Sequence, residues 1–204
     1  MKVELHLHTS RYSGCAAISP AEAMQRLIEL GYDAVYITEH DRVWSPFELD
    51  DLREQFPNIK IFGGVELTVG FARMQHLLVL GTSDPEYIDL AGEEEAILKK
   101  ARHEGHLTIL AHPFRWKEDE TMMDRGNNPD AIEYLTCNHD APEMKEQSKA
   151  AATKFHVRLV NSGDVHDLDF MGRFWIETTE PFAEAEDIRR IVLRRDYRNR
   201  RNSD

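Results

Sequence analysis

Val3-Glu4-Leu5-His6-Leu7-His8 decides the reading of this chain. It is a β-like run, and histidines two apart on a strand point the same way, so both imidazoles can bind one cation. Similar endings recur at Ile37-Thr38-Glu39-His40-Asp41, Gly64-Val65-Glu66, Gln75-His76-Leu77-Leu78, Leu110-Ala111-His112-Pro113 and Gly163-Asp164-Val165-His166. Histidine and carboxylate thus gather where strands end and loops begin, as they do in a metal-centred site at the mouth of a barrel.

Between these runs the pattern alternates strand and helix. Strands are expected at about 2–8, 34–38, 60–67, 75–80, 107–111, 132–136, 158–161 and 174–177. Ser19-Pro20 and Ser45-Pro46 each read as a helix start, with serine as cap and proline in the first turn. Further helices are expected over 85–104, broken near Gly92, and over 142–155 and 183–195. The β-then-α order favours an α/β fold with a parallel sheet and helices outside. Six strand ends that each carry a candidate ligand fit a closed barrel better than an open sheet, whose ligands collect at one switch point.

The chain of 204 residues reads as one domain over 1–204 with a basic tail at about 196–204. Its hydrophobic share of 41% and charged share of 30% are those of a globular protein. No apolar run approaches the roughly 20 residues of a membrane span, and no signal-peptide pattern opens the chain. Cys15 and Cys137 form no CxxC pair, which makes a reducing cytoplasm the expected compartment. The net charge of −12 argues against broad adhesion to nucleic acid. Seven arginines after Ile188 nevertheless make the C-terminal end basic. That end is expected to be a frayed, solvated terminus, with contact to an anionic partner or a second subunit as the alternative. The segment 115–130, with Trp116, Asp119, Met122, Met123 and Gly126, is loop-like and reads equally as a lid or an ordinary surface loop.

Imidazole and carboxylate donors suit Zn, Mn or Fe, and the absence of a thiolate cluster argues against a structural zinc site. The donors exceed what one tetrahedral ion needs, whereas two or three divalent ions sharing a carboxylate would use them all. Singly, His76 or His112 would be read as a satisfied core histidine, Glu66 as a loop carboxylate and Asp164 as a turn cap; jointly they read as metal ligands. His103, His106, His139 and His156 lack the strand-end setting and are not assigned to the site.

Taken in order, these elements resemble the PHP family, named for polymerase and histidinol phosphatase domains. The resemblance rests on His6-Leu7-His8-Thr9, Thr38-Glu39-His40-Asp41, Gly64-Val65-Glu66, His76-Leu77-Leu78, His112-Pro113 and Gly163-Asp164-Val165-His166, and covers almost the whole chain. It implies a distorted (β/α)7 barrel holding two or three metal ions. By that resemblance His6, His8 and Asp164 would bind the first ion, and Glu66 would bridge it to a second. His76 and His112 would complete the second, and His40 and His166 would serve the third. Glu39 would support its neighbours from behind. Where the family often has Asp or His after the first motif, this chain has Ser13-Gly14-Cys15, so Cys15 reads either as a substitute thiolate ligand or as a small buried cysteine.

The implied activity is hydrolysis of a phosphate ester by a metal-bridging hydroxide. Glu66 and Asp164 would orient the cluster, and His166 or metal-bound water would help protonate the leaving oxygen. Arg11 and Arg115 are the best-placed clamps for phosphate, ahead of Arg42 and Arg173. The expected partner is a small phosphorylated substrate, with a nucleotide or oligonucleotide also compatible. The short span between His76 and His112 leaves no room for a sizeable inserted domain. The alternatives are a non-catalytic metal-binding module and a di-metal hydrolase of a non-phosphate bond.

Overall fold

The two serine–proline starts fold alike. In the computed structural model, which describes residues 1–70, 75–116 and 120–202, Ser19 and Ser45 cap α1 (Pro20–Glu29) and α2 (Pro46–Gln55). Each serine hydroxyl accepts from the amide three residues on, and the Glu22 or Glu48 carboxylate accepts from the serine amide. Two exposed helix-end amides are thereby satisfied at each start. Glu48 does more: slight burial would raise its carboxyl, but donors from Tyr12, Ser45 and Arg11 hold it down to about 2. A carboxyl lowered on folding contributes stability that is complete above its unfolded value and lost as pH falls through the folded one. Glu48→Gln is therefore expected to destabilise the protein near neutrality, and urea melts should show that difference shrinking from about pH 5 towards about pH 2. A pH-independent difference would remove the carboxylate from the account.

The strands are β1 (Lys2–Leu7), β2 (Ala34–Ile37), β3 (Lys60–Val69), β4 (Gln75–Leu80), β5 (Leu107–Ala111), β6 (Ala131–Leu135), β7 (Arg158–Asn161), β8 (Phe174–Thr178) and β9 (Tyr197–Arg201). They form one sheet in the order β7-β6-β5-β4-β3-β2-β1-β8-β9. β1–β3 are mutually parallel, as are β5–β7, but β4 runs antiparallel to both its neighbours. The expected parallel sheet is corrected at β4 for a simple reason: residues 70–74 are too short for the crossover a parallel β3–β4 pair requires. The remaining helices are α3 (Glu86–Asp89), α4 (Glu94–Glu104), α5 (Pro142–Phe155) and α6 (Asp187–Arg194), so the break near Gly92 is as expected.

The sheet nearly closes on itself in two different ways. At the strand ends the Val165 amide donates to His6 O at 3.1 Å and the His8 amide to Val165 O at 2.9 Å, a single parallel bridge between β1 and the chain after β7. Nearer the strand starts β8 and β9 fill the gap, and side chains make the closure. Tyr197 Oη and Asn199 Nδ2 donate to Leu159 O, and Asn161 Nδ2 donates to Arg200 O. Residues 197–201 of the basic tail are therefore a strand paired antiparallel with β8 rather than a frayed end. Its alternation of polar and charged residues carries no hydrophobic signal, because this strand is fixed by side-chain and ladder bonds rather than by burial.

Apolar residues line the inner and outer faces. Leu5, Leu78, Leu80, Ile109 and Val160 share one cluster that α6 plugs with Ile188, Ile191 and Val192. Val35, Ile37 and Leu7 pack under α1 and α2, and Val65, Leu67, Leu77 and Leu110 under α4 and α5. Of 115–130, Asp119 lies outside the described residues. Met122 and Met123 are buried in that last cluster, which anchors this part of the segment against the barrel, while Glu120, Asp124, Arg125, Gly126 and Asn128 are exposed.

Candidate metal centre

Glu66 is the hub. It sits in β3 with no solvent exposure, and five imidazoles from four different segments surround it, His6 and His8 sharing the β1 segment. Oε1 lies 3.0 Å from His76 Nδ1, 3.2 Å from His112 Nε2 and 3.4 Å from His6 Nε2. Oε2 lies 2.9 Å from His40 Nδ1 and 3.2 Å from His8 Nε2. Asp164, after β7, completes the ring: Oδ1 is 3.5 Å from His6 Nε2, 3.7 Å from His8 Nε2 and 3.5 Å from His166 Nδ1. Three sets of donor atoms result, each within 4.8 Å of one another: His6, His8 and Asp164; His40, Glu66 and His76; and His8, His40 and His166.

Backbone irregularities aim these side chains. A bulge interrupts β1 between Glu4 and Leu7, and Glu4 Oε1 accepts from the successive amides of Leu5 and His6, which a regular ladder would send to opposite sides. The same oxygen accepts from Gly163 and so fastens the turn that carries Asp164. Asp164 and His112 have φ of +50° and +28°, conformations that cost a non-glycine residue roughly 1–3 kcal/mol each and persist only when neighbours enforce them. Asn138 Nδ2 holds Asp164 Oδ2 at 2.7 Å, and Glu133 Oε2 accepts from the His112 amide at 2.7 Å.

Glu133 also fixes the chemistry of His6. Its Oε1 lies 2.8 Å from His6 Nδ1, which fixes a proton on Nδ1 and turns Nε2 towards Glu66 and Asp164. Ser13 plays the corresponding part for His8, with Oγ 3.3 Å from Nδ1, and it donates in turn to Glu39. Glu39 is buried and also accepts from Thr9 and Trp44 Nε1, which is the supporting place expected of it.

The electrostatics ask for cations. Burial would raise the Glu66 carboxyl, yet the rings of His6, His112 and His40 hold it well below the usual range. Asp164 is held at about 2 against the same burial by His6 and His112. Burial opposes a proton on His6, but Glu66, Asp164 and Glu133 outweigh it and raise its affinity well above normal. His8, in contrast, is pushed down to about 4 by burial. Glu66 Oε2 and Asp164 Oδ1 accept no hydrogen bond although both are buried, because the nearby ring N–H groups are not aimed along one. Two unbonded, ionised oxygens among imidazole nitrogens fit divalent ions, and nitrogen and oxygen donors without thiolate fit Zn, Mn or Fe as a class.

The other expected site residues stand apart from this cluster. Cys15 is exposed, which corrects the buried-cysteine alternative, and its thiol joins none of the donor sets found among the described residues. Arg11 is engaged by Glu48, with Nε 3.0 Å from Oε1, and lies over the Trp44 ring. Arg115 lies over Trp116 at 4.6 Å, one turn beyond His112. Of the weaker clamps, Arg42 lies over Tyr12 and Arg173 over Phe170. His103, His106, His139 and His156 are in none of the donor sets found among the described residues. Glu4 and Glu133 were not singled out in the sequence, although each leaves a signal: Glu4 is two residues before His6, and Glu133 interrupts the apolar run Ala131-Ile132-Glu133-Tyr134-Leu135.

Comparison with known proteins agrees with this geometry. The PHP domain family matches residues 4–125, more than half of the chain, and the chain belongs to that family. Among solved structures, a two-domain protein from Bacteroides vulgatus containing a predicted PHP-like metal-dependent phosphoesterase superposes with a TM-score of 0.74 at 18% identity. That match covers 98% of this chain and 64% of the other, so this chain spans under two thirds of its length. An amidohydrolase from Chromobacterium violaceum gives a TM-score of 0.63 at 13% identity, covering 82% of this chain and 88% of the other. A lesion-specific endonuclease from Pyrococcus furiosus gives 0.60 at 17%, covering 94% and 55%. No curated protein sequence matched. At these identities the structural matches establish the fold alone; with the family they support a metal-dependent hydrolase. No helix among the described residues is long and apolar enough to cross a membrane.

Proposed function

We propose that the protein is a metal-dependent phosphoesterase. The observation that carries this reading is the buried Glu66 carboxylate with five imidazoles and a second ionised carboxylate around it. His6, His8, Asp164 and Glu66 would hold one divalent ion; Glu66, His76 and His112 a second; His40 and His166 a third. Bound ions supply charge neutralisation at phosphoryl oxygens and an activated water.

The chain supplies position and proton handling. Glu66 and Asp164 stay ionised through neutrality and so hold the ligand rings in register. Glu133 and Ser13 keep the Nδ1 protons on His6 and His8, so that each Nε2 remains a donor. If only two ions were bound, His166 would be left uncoordinated beside Asp164, where it could relay a proton between water and a leaving oxygen. If three were bound it would be a ligand with His8 and His40. Arg115, on the turn after His112, is the guanidinium we assign to the phosphate; Arg11 would first have to leave Glu48. Cys15→Ser is expected to leave metal stoichiometry unchanged by elemental analysis, since its thiol stands outside the donor sets, and a loss of one ion would make it a ligand.

The test is a substrate panel. After Mn, Zn or Fe reconstitution, phosphate mono- and diesters should turn over and amides and lactones should not. Amide or lactone hydrolysis without phosphoester turnover would replace this reading with another di-metal hydrolase.

A further inference from the structure

The arginine-rich end of the chain plays no part in the metal centre, yet it is ordered and leads towards it. At the foot of the barrel a groove of about 780 Å³ is lined by Lys149, His156, Arg158, Arg195, Tyr197 and Asn199 among its residues, with no acidic side chain in the lining. His156 and Arg195 end α5 and α6 with φ of +59° and +64°, so both rims of the groove carry a basic residue in a backbone conformation that favours glycine. From there β9 climbs parallel to β1, since it is antiparallel to β8 and β8 is antiparallel to β1. The distance from Arg195 to Arg201 is about 20 Å at strand spacing. At its upper end the Asn202 amide donates to Arg173 O at 2.8 Å. Arg173 closes the segment that follows Asp164 and His166, so the upper end of β9 is tied to the segment that carries these two residues; along the strand Arg201 shares a face with Tyr197 and Asn199 of the groove, while Arg198 and Arg200 face the other way.

These charges are uncompensated. In a chain of net −12, Arg158, Arg173, Arg194, Arg195, Arg198 and Arg201 have no carboxylate at ion-pair distance among the described residues, whereas Arg189, Arg190 and Arg200 do. Arg158 spends its donors on Leu193 O, which helps to finish α6. Arg194, Arg195, Arg198, Arg201 and Arg173 are exposed. Helix-end compensation accounts for Arg194 and Arg195 but not for Arg173, Arg198 and Arg201, which are in no helix.

We infer that the α5–α6 groove and β9 form a track for the backbone of a single-stranded nucleic acid, leading it to the metal centre. The guanidinium fork matches phosphate oxygens, and a run of such groups along a groove is how single strands are held without sequence readout. The acidity of the remaining surface confines the polyanion to this path. Choosing a phosphodiester over an acidic peptide rests on the phosphoesterase reading.

The test uses the full chain in EDTA, so that binding is read without hydrolysis, with fluorescein-labelled oligothymidylate as probe. Wild type should bind with strong salt dependence. The doubly substituted R195Q/R201Q protein should bind about tenfold more weakly, with a log–log salt slope lower by about 0.7 per arginine removed. Polyglutamate should fail to displace the probe. Equal affinity of the two proteins, salt-independent binding or displacement by polyglutamate would each overturn the track. Turnover of a small chromogenic phosphoester by metal-loaded protein should be the same in both. Its absence would instead count against the phosphoesterase, independently of the binding result.

Discussion

Replacing Glu66 by glutamine is expected to abolish turnover and strip bound metal while the barrel stays folded. The amide keeps the volume but removes the charge that five imidazoles share, and it offers one acceptor where the site uses two oxygens. Metal-supplied stabilisation of the reacting charge is worth several kcal/mol, and each 1.4 kcal/mol is about tenfold in rate, so a loss of about 10³-fold or more should follow. Folding should survive because Glu66 gives no side-chain bond to the apolar clusters under the helices, and without it His6 loses one of the charges that raise its proton affinity. Activity and metal content should be measured beside a thermal melt. A folded Glu66→Gln protein that keeps its metal and its rate would remove Glu66 from the centre.

Glu133→Gln should have the second largest effect, although Glu133 belongs to none of the donor sets. Its two oxygens accept from His6 Nδ1, the His112 amide and Ser162 Oγ, so every donor facing it needs an acceptor. Glutamine turns one oxygen into an NH2 group, which must then face either the His112 amide or the His6 Nδ1 proton. The penalty for an unsatisfied buried donor is about 1–3 kcal/mol in stability. Losing the partner that orients a ligating histidine typically weakens metal binding about 10- to 100-fold. Competition against a chelator measures that affinity directly. Lower stability with unchanged affinity would make Glu133 structural only.

The candidate ligands were legible because most sit where a strand ends and a loop begins; Glu66, inside β3, and His76, at the start of β4, reach the same cluster because β4 runs antiparallel to β3. The barrel followed from the same endings. What sequence periodicity did not reveal depends on contacts between segments far apart in the chain. β4 runs antiparallel because of the short 70–74 connection, and β9 is held to β7 by Tyr197 and Asn199 rather than by apolar burial. Glu4 and Glu133 look like ordinary strand residues until the bulge in β1 and the turn at His112 present amides to them. Residues 120–130 read as loop because the burial of Met122 and Met123 has neither helical nor strand period.

The central claim is that these side chains bind a cluster of divalent ions for phosphoester hydrolysis. The most direct measurement is elemental analysis of the purified protein together with phosphate release from a generic ester, before and after chelation and Mn, Zn or Fe reconstitution. Two or three ions per chain, with release that stops on chelation and returns on reconstitution, is the predicted result. Fewer than two ions after reconstitution, or release that chelation leaves unchanged, would contradict it.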